Sequence, residues 1–315
     1  LPYRPLPQEG AQLGTFLGVF TPCSCTIFGV VVFLRLGFVV GMAGVWGSLL
    51  IVAVGFLLSG LTTLSLCALL THGQVQAGGL YPSVHNSVGP ELGGALGIVF
   101  YIAYTVGISY YIMGFAETAR SYTHLNSSDQ VFPWNPPGDW VVTAIASLAL
   151  LALTVICTRG VVFSSQFSFG VLAVIFVCIV SSCGFLLLPT NDPVSGPTGF
   201  SETTLQANAM PELSAFPGYP HNSMLLMFSV VFPGFTGVLA GANLSGDLAT
   251  PHKSIPQGVI AALLLAALCY TAIVLVLGSS VARGVLKENL MIMQTVVDSY
   301  TSLPIVFVGI CCSTL

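Results

Sequence analysis

The sequence predicts an all-α protein that crosses a membrane several times, and three observations predict it. Charged residues are 6 % of the 315, with 7 Lys and Arg and 11 Asp and Glu, where a soluble protein carries about 25 %. Apolar residues reach 55 %, and so little charge does not cover a water-exposed surface. The apolar residues also fall in long charge-free runs: 10–34, 36–90, 92–116, 140–158, 160–191, 213–246, 254–282 and 299–315.

A membrane-spanning helix needs about 20 mostly apolar residues. The runs therefore hold seven complete spans, 13–40, 44–70, 93–118, 140–157, 165–188, 223–242 and 257–281, and an eighth opens at Leu303 and stops at Leu315. They are too long and too many for a signal peptide. They lack the short alternating pattern of a membrane β-barrel. Residues 1–12 are the polar, Pro-rich stub of a tail, and 119–139 and 189–222 are long polar loops. The chain begins at Leu1 rather than Met and ends inside an apolar run, which reads as a fragment of a longer protein.

The formal net charge of −4 is dispersed, with no basic stripe among aromatics, so nucleic acid is not expected as a partner. The nine cysteines lie in apolar stretches and behave as small hydrophobes. Cys23 and Cys25 form a C-x-C pair without a third or fourth ligand nearby, so no resident metal or other cofactor is expected. Phosphate-loop, zinc-protease and serine-hydrolase motifs are absent, which argues against an enzyme.

Lys and Arg asymmetry leaves orientation open. Arg4, Arg159 and Lys253 fall on one side, and Arg35, Arg120, Arg283 and Lys287 on the other. Asn126-Ser127-Ser128 in the first long loop is an N-glycosylation acceptor triplet. It favours an inner N-terminus and makes 189–222 extracellular.

Two spans carry internal breaks. In the first, TFLGVFTPCSCTIFGVVVFLRLGFVVG, Pro22 removes a donor and Gly29 weakens the ladder; in the sixth, SMLLMFSVVFPGFTGVLAGANLSGDL, Pro233, Gly234 and Gly237 cluster at the midpoint. Unwound backbone at membrane depth is tolerated only where it is buried in protein or lines a cavity. Paired breaks five spans apart mark an inverted-repeat transporter with its site at the midplane. Residues 13–188 are then a first five-helix repeat (spans 1–5) and 223–315 the incomplete start of a second (spans 6–8).

Such breaks offer free carbonyls to cations and free amides to anions. The midplane runs hold no Asp or Glu, which suits a monovalent cation better than a divalent ion or a proton. Thr26, Thr236 and Tyr111 are the nearby hydroxyls. Each also has an ordinary reading, since Thr in a membrane helix commonly bonds its own backbone or packs, and a lone Tyr commonly anchors at the interface.

The stretches Gly29-Val30-Val31-Val32-Phe33-Leu34-Arg35-Leu36, VGPELGGALG (88–97), GFAET (114–118), FPGFTGVLAGANLSGDL (232–248) and KSIPQG (253–258) resemble the cation-chloride cotransporters. These form solute carrier family 12 within the amino acid-polyamine-organocation superfamily. LGTFLGV (13–19), VVFLRLGFVVGMAG (31–44) and LTTLSLCALLTHGQVQAGG (61–79) are most similar to the cotransporter-interacting branch. The resemblance covers about Leu13 to Leu315. It implies a LeuT-type inverted-repeat fold, truncated here, and symport of chloride with a potassium-like cation. The family's potassium ligands fall on the Thr26 and Ile27 carbonyls, Tyr111, Pro233 and Thr236. One chloride falls on the amides of Gly29, Val30 and Val31, and a second on those of Gly237, Val238 and Leu239. Thr26 departs from the family's usual Asn, a change that a carbonyl contact survives, and Tyr81-Pro82 departs from its usual tyrosine pair.

Two charges lie inside spans, where an ionised residue costs about 2.5–3.5 kcal/mol on insertion scales and needs a partner or water. Arg35 is nine residues beyond Thr26 and Glu117 six beyond Tyr111, about 13 Å and 9 Å along their helices. Snorkelling to the interface would satisfy each alone. The family carries an Arg and a Glu at these positions in its outer gate, so an Arg35–Glu117 pair above the ion site is expected. An amino-acid or polyamine permease of the same fold, and a non-transporting partner of another cotransporter, stand as the other readings. The expected partners are the bilayer, inorganic ions, and a second copy or another cation-chloride cotransporter. The plasma membrane is the expected address, with the endolysosomal membrane as the alternative.

Overall fold

Helices account for most of the described residues because nearly every apolar run is long enough to satisfy its backbone internally, as a hydrocarbon surrounding demands. The computed structural model describes residues 13–71, 81, 84–85, 89–123, 140–158, 161–188, 199–214, 222–289, 291–300 and 304–314. A π-helical turn, Phe16–Phe20, leads into α1 (Thr21–Ile27), followed by α2 (Val30–Leu34), α3 (Leu36–Thr71), α4 (Pro90–Thr123), α5 (Trp140–Cys157) and α6 (Val161–Leu187). Then come α7 (Glu202–Ala207), α8 (Met224–Val231), α9 (Ala240–Asn243), α10 (Pro251–Ser280), α11 (Arg283–Glu288), α12 (Ile292–Tyr300) and α13 (Ile305–Thr314). Among the described residues there is no strand, and 6 helical stretches are long and apolar enough to cross a membrane. The fourth expected span is the shorter apolar helix α5, and α13 lies where the eighth was expected to open.

The boundaries differ from expectation where capping acts. Pro90 and Pro251, at the first turns of their helices, start α4 and α10 ahead of the expected 93 and 257. Pro22 does not break the first span. It stands in the first turn of α1, where its missing N–H is tolerated, and the π-helical turn before it absorbs the mismatch. The first and second spans meet at Gly44, whose φ of 68° turns the chain sharply inside α3. A Cβ there would lie 2.5 Å from the Met210 carbonyl oxygen, so only glycine fits both the conformation and the space.

The loop expected at 189–222 contains α7, capped by Ser201, and its described part closes one face of the protein. The Val45 amide donates to the Asn208 carbonyl at 2.9 Å and the Trp46 amide to that of Ala209 at 3.2 Å, which satisfies the helix start after the corner. Asn208, 1 % exposed, donates its side-chain amide to the carbonyls of Gly278 and Val281, both at 2.8 Å, and so caps the C-terminal end of α10. Glu212 joins in from the surface, with Arg283 at 2.8 Å and Lys287 at 3.0 Å. The Arg283 hydrogen bond, then that of Lys287, holds its carboxyl below the ordinary carboxylate range. This clasp is therefore intact at neutral pH and loosens as acidification passes that lowered value.

On the other face Leu13 is stapled to the linker before α10. Its amide donates to the Asp247 carbonyl at 2.8 Å, and its carbonyl accepts from Ala249 at 3.2 Å. Thr15 reaches Ser254 at 3.0 Å. About 45 Å of helix in α10 separates the two faces. The interior between them is lined by α1, α2, α3, α6 and α10, with Phe28, Phe33, Phe235 and Tyr270 among the largest fully buried side chains.

Replacing Asn208 with Ala removes two buried donors from carbonyls that have no water to turn to. The expected loss is about 1–3 kcal/mol of stability, read as a lower unfolding temperature of the purified protein in detergent.

Candidate functional site

The first span ends one helix and begins another midway along its length. Phe28 leaves helical geometry (φ −82°, ψ 43°), Gly29 is extended (φ −73°, ψ −173°), and the helix resumes at Val30. It then continues through Arg35 into α3, with the Val39 amide on the Arg35 carbonyl at 3.1 Å. A helix end leaves its last carbonyls without internal donors, and a helix start leaves its first amides without acceptors. The Ser24 carbonyl is taken by the Phe28 amide at 2.9 Å. The Thr26 carbonyl receives the Tyr111 hydroxyl from α4 at 3.1 Å, and the Ile27 carbonyl receives the Tyr270 hydroxyl from α10 at 3.0 Å.

The sixth span breaks by the same logic. Helix α8 tightens into a 3₁₀ turn over Phe232–Phe235, Thr236 is extended, and Gly237 takes a φ of 113° before α9 begins. Its carbonyls also find hydroxyls. Pro233 accepts from Thr236 Oγ1 at 2.7 Å, Phe235 from Ser59 Oγ of α3 at 2.6 Å, and Gly234 lies 3.3 Å from Tyr270 Oη. The Gly237 carbonyl accepts from Thr26 Oγ1 at 3.3 Å, which ties the sixth span to the first.

Glycines permit this closeness. A Cβ on Gly29 would stand 2.4 Å from Tyr111 Cε1, one on Gly237 2.5 Å from Thr26 Oγ1, and one on Gly114 2.5 Å from Val30 Cγ1. All are nearer than side-chain atoms approach one another.

Of the residues expected at the site, Thr26, Ile27, Gly29, Val30 and Val31 lie at the first break with Tyr111 bonded to it, Pro233, Thr236, Gly237, Val238 and Leu239 lie at the sixth, and the Thr26–Gly237 hydrogen bond joins the two. Thr26 turns its hydroxyl back onto the Pro22 and Cys23 carbonyls, both at 2.9 Å, as well as onto Gly237, and leaves its own carbonyl for Tyr111. Thr236 is exposed and Tyr111 half-buried, whereas Ile27, Gly29, Val30, Val31 and Val238 are buried; Leu239 is half-buried. Neither Gly29 before α2 nor Leu239 before α9 supplies a side-chain cap, so the first amides of both helices face the break region uncapped by their own leading residues. Arg35 Nη2 lies 2.9 Å from Glu117 Oε2, with the side chains 15 % and 8 % exposed. Asn126 lies outside the described residues.

Sequence reasoning missed Tyr270 and Ser59. Tyr270 carried a readable signal, since it stands near the middle of the span expected at 257–281, too deep for an interfacial anchor. Ser59 carried none, being one hydroxyl among several in its span.

A sequence model of the family described as Amino acid permease matches residues 18–308. The chain belongs to the amino acid permease family. It is an integral, multi-pass membrane protein of a transporter family, not an enzyme. It is 34 % identical to solute carrier family 12 member 9 of Danio rerio, over 96 % of this chain and 36 % of that protein. It is 34 % identical to the bumetanide-sensitive sodium-(potassium)-chloride cotransporter of Manduca sexta, over 93 % of this chain and 28 % of that protein. Human solute carrier family 12 member 3 is 33 % identical, over 90 % of this chain and 27 % of its own length. The likeness to cation-chloride cotransporters read from the motifs therefore extends along nearly the whole chain, which spans about a third of the relatives it matches.

Gly237→Ala adds a Cβ against Thr26 at a left-handed backbone position. It is expected to destabilise the protein by about 1–3 kcal/mol and to separate the two breaks. The check is an unfolding temperature compared with that of Gly284→Ala, where a Cβ meets nothing within 4 Å.

Proposed function

We propose that the protein is a symporter of chloride with a potassium-like monovalent cation, working by alternating access around the two broken spans. The observation that carries this reading is the meeting of helix-end carbonyls and neutral hydroxyls at the breaks. Thr26, Ile27 and Pro233 turn negative helix ends toward one region, and Tyr111 and Thr236 add oxygens without a formal charge. Such a set attracts a dehydrated monovalent cation through partial charges alone. The relatives' printed names supply the ions. One is a sodium-(potassium)-chloride cotransporter, and the positions that the resemblance assigns to potassium lie at the two breaks or hydrogen-bond to them.

Chloride is assigned to the opposite poles of the same breaks. Amides of Gly29, Val30 and Val31 and of Gly237, Val238 and Leu239 stand at helix starts, where unpaired N–H groups favour an anion without any side-chain charge. Arg35 and Glu117 close the outer path. Six residues of α4, about 9 Å, separate Glu117 from Tyr111, so the ion pair blocks the way out without touching the cation. With the N-terminus inside, Asn126 is glycosylated outside, and the plasma membrane is the address. The family name also fits the permease of amino acids or polyamines, and ion replacement separates the two.

Rubidium uptake by cells expressing the protein is expected to fall to background when gluconate replaces chloride. Full uptake in gluconate overturns symport with chloride, and rubidium uptake at background in both media favours the permease. Removing one member of a largely buried ion pair leaves a charge uncompensated, a loss of about 3–5 kcal/mol. Arg35→Glu or Glu117→Arg alone should therefore abolish most uptake, and the double exchange should recover part of it. Single variants that transport normally at the same surface level would remove the gate assignment.

A further inference from the structure

Tyr270 is fully buried two-thirds of the way along α10, and its ring is enclosed by Phe28, Phe56 and Phe235 with centroids 6.4, 5.6 and 5.5 Å away. A phenylalanine would fill this aromatic cage equally well. The hydroxyl is the part that packing does not explain, and it stands between the two broken spans, 3.0 Å from the Ile27 carbonyl and 3.3 Å from that of Gly234. A phenol has one proton, so only one of the two carbonyls receives a full hydrogen bond at a time. Gly234 is shaped to this arrangement, because a Cβ there would lie 2.5 Å from Tyr270 Oη.

Tyr111 is placed differently. It is half-buried, bonds only the first span, and belongs to the expected ligand set. Tyr270 approaches the same helix end from the protein side, through carbonyls from both spans.

We propose that Tyr270 is a positioning and selectivity residue of the cation site, a deepening that rests on the reading above. Its hydroxyl spaces the Ile27 and Gly234 carbonyls and occupies Ile27 when no cation is bound. It yields to the ion by rotating its hydrogen to Gly234. A cation arriving at Ile27 repels the phenolic hydrogen, and the second acceptor is already within reach, so the Ile27 carbonyl has a partner in both states and the hydroxyl always has an acceptor. No bond is made or broken and no charge moves with the switch. The tether also stops the two helix ends from closing on a smaller ion, so sodium and lithium are wrapped poorly compared with potassium or rubidium.

The test measures rubidium uptake, with sodium and lithium as competitors, in the unsubstituted protein, Tyr270→Phe and Tyr111→Phe at matched surface levels. Tyr270→Phe is expected to raise the rubidium KM by about three- to tenfold, because the Ile27 and Gly234 carbonyls lose the hydroxyl that spaces them around the ion. It should change the maximal rate less, and it should strengthen lithium and sodium competition relative to rubidium. Unchanged KM and selectivity in Tyr270→Phe, with uptake impaired in Tyr111→Phe, would overturn the proposal and leave the cation site standing. Normal uptake in both variants would overturn the cation site itself. Gly234→Ala supplies a second route should Tyr270→Phe fail to reach the surface. Its added carbon displaces the hydroxyl while keeping the ring, so the same loss of selectivity is expected, and unaltered selectivity would refute the tether.

Discussion

Backbone carbonyls at the ends of broken helices cannot be left bare in a membrane interior, and much of this structure answers that constraint. Two spans stop halfway, at Phe28–Gly29 and at Phe232–Gly237. Each exposes oxygens that an unbroken helix would have satisfied within itself. Hydroxyls from α1, α3, α4 and α10 take up that role through Thr26, Ser59, Tyr111 and Tyr270. The surrounding helices are thereby tied to the breaks, and the polar centre is the point where four elements are joined.

Hydroxyl donors suit this task for a reason that links stability to transport. A lysine would pair more strongly, but its fixed charge would repel a cation, and an ionised carboxylate has no hydrogen to donate. A phenol or threonine hydroxyl donates when the site is empty and offers lone pairs when a cation arrives. The formal charges that do enter the spans stand apart and are paired with each other, as Arg35 is with Glu117. The clasp around Asn208 ties together the Gly44 corner between the first and second spans and the C-terminal end of the seventh.

Much of the architecture was legible in the sequence. Charge-free length marks a membrane helix almost without context, so the spans could be read within a few residues of their ends. Pro233, Gly234 and Gly237 announced the sixth break because three helix-weakening residues fall within one turn and a half. Pro22 misled, because a proline's effect depends on its place in the helix, and the π-helical turn ahead of it has no sequence mark. The hydroxyl contacts were half legible. Tyr111 emerged through the motif likeness, whereas Ser59 acts through a long-range contact with Phe235 that no local pattern encodes. Asn208 was hidden in a polar loop, where an amide is unremarked until the carbonyls of α10 come to meet it.

The account turns on where a cation sits relative to these carbonyls. The most direct measurement is a structure of the protein determined in rubidium chloride, with the ion located by its anomalous scattering. The account predicts a rubidium peak coordinated by the Ile27 and Pro233 carbonyls and the Tyr111 hydroxyl, with Tyr270 turned to Gly234. A rubidium ion ordered elsewhere in the transmembrane region, with these carbonyls still bonded to their hydroxyls, would contradict it.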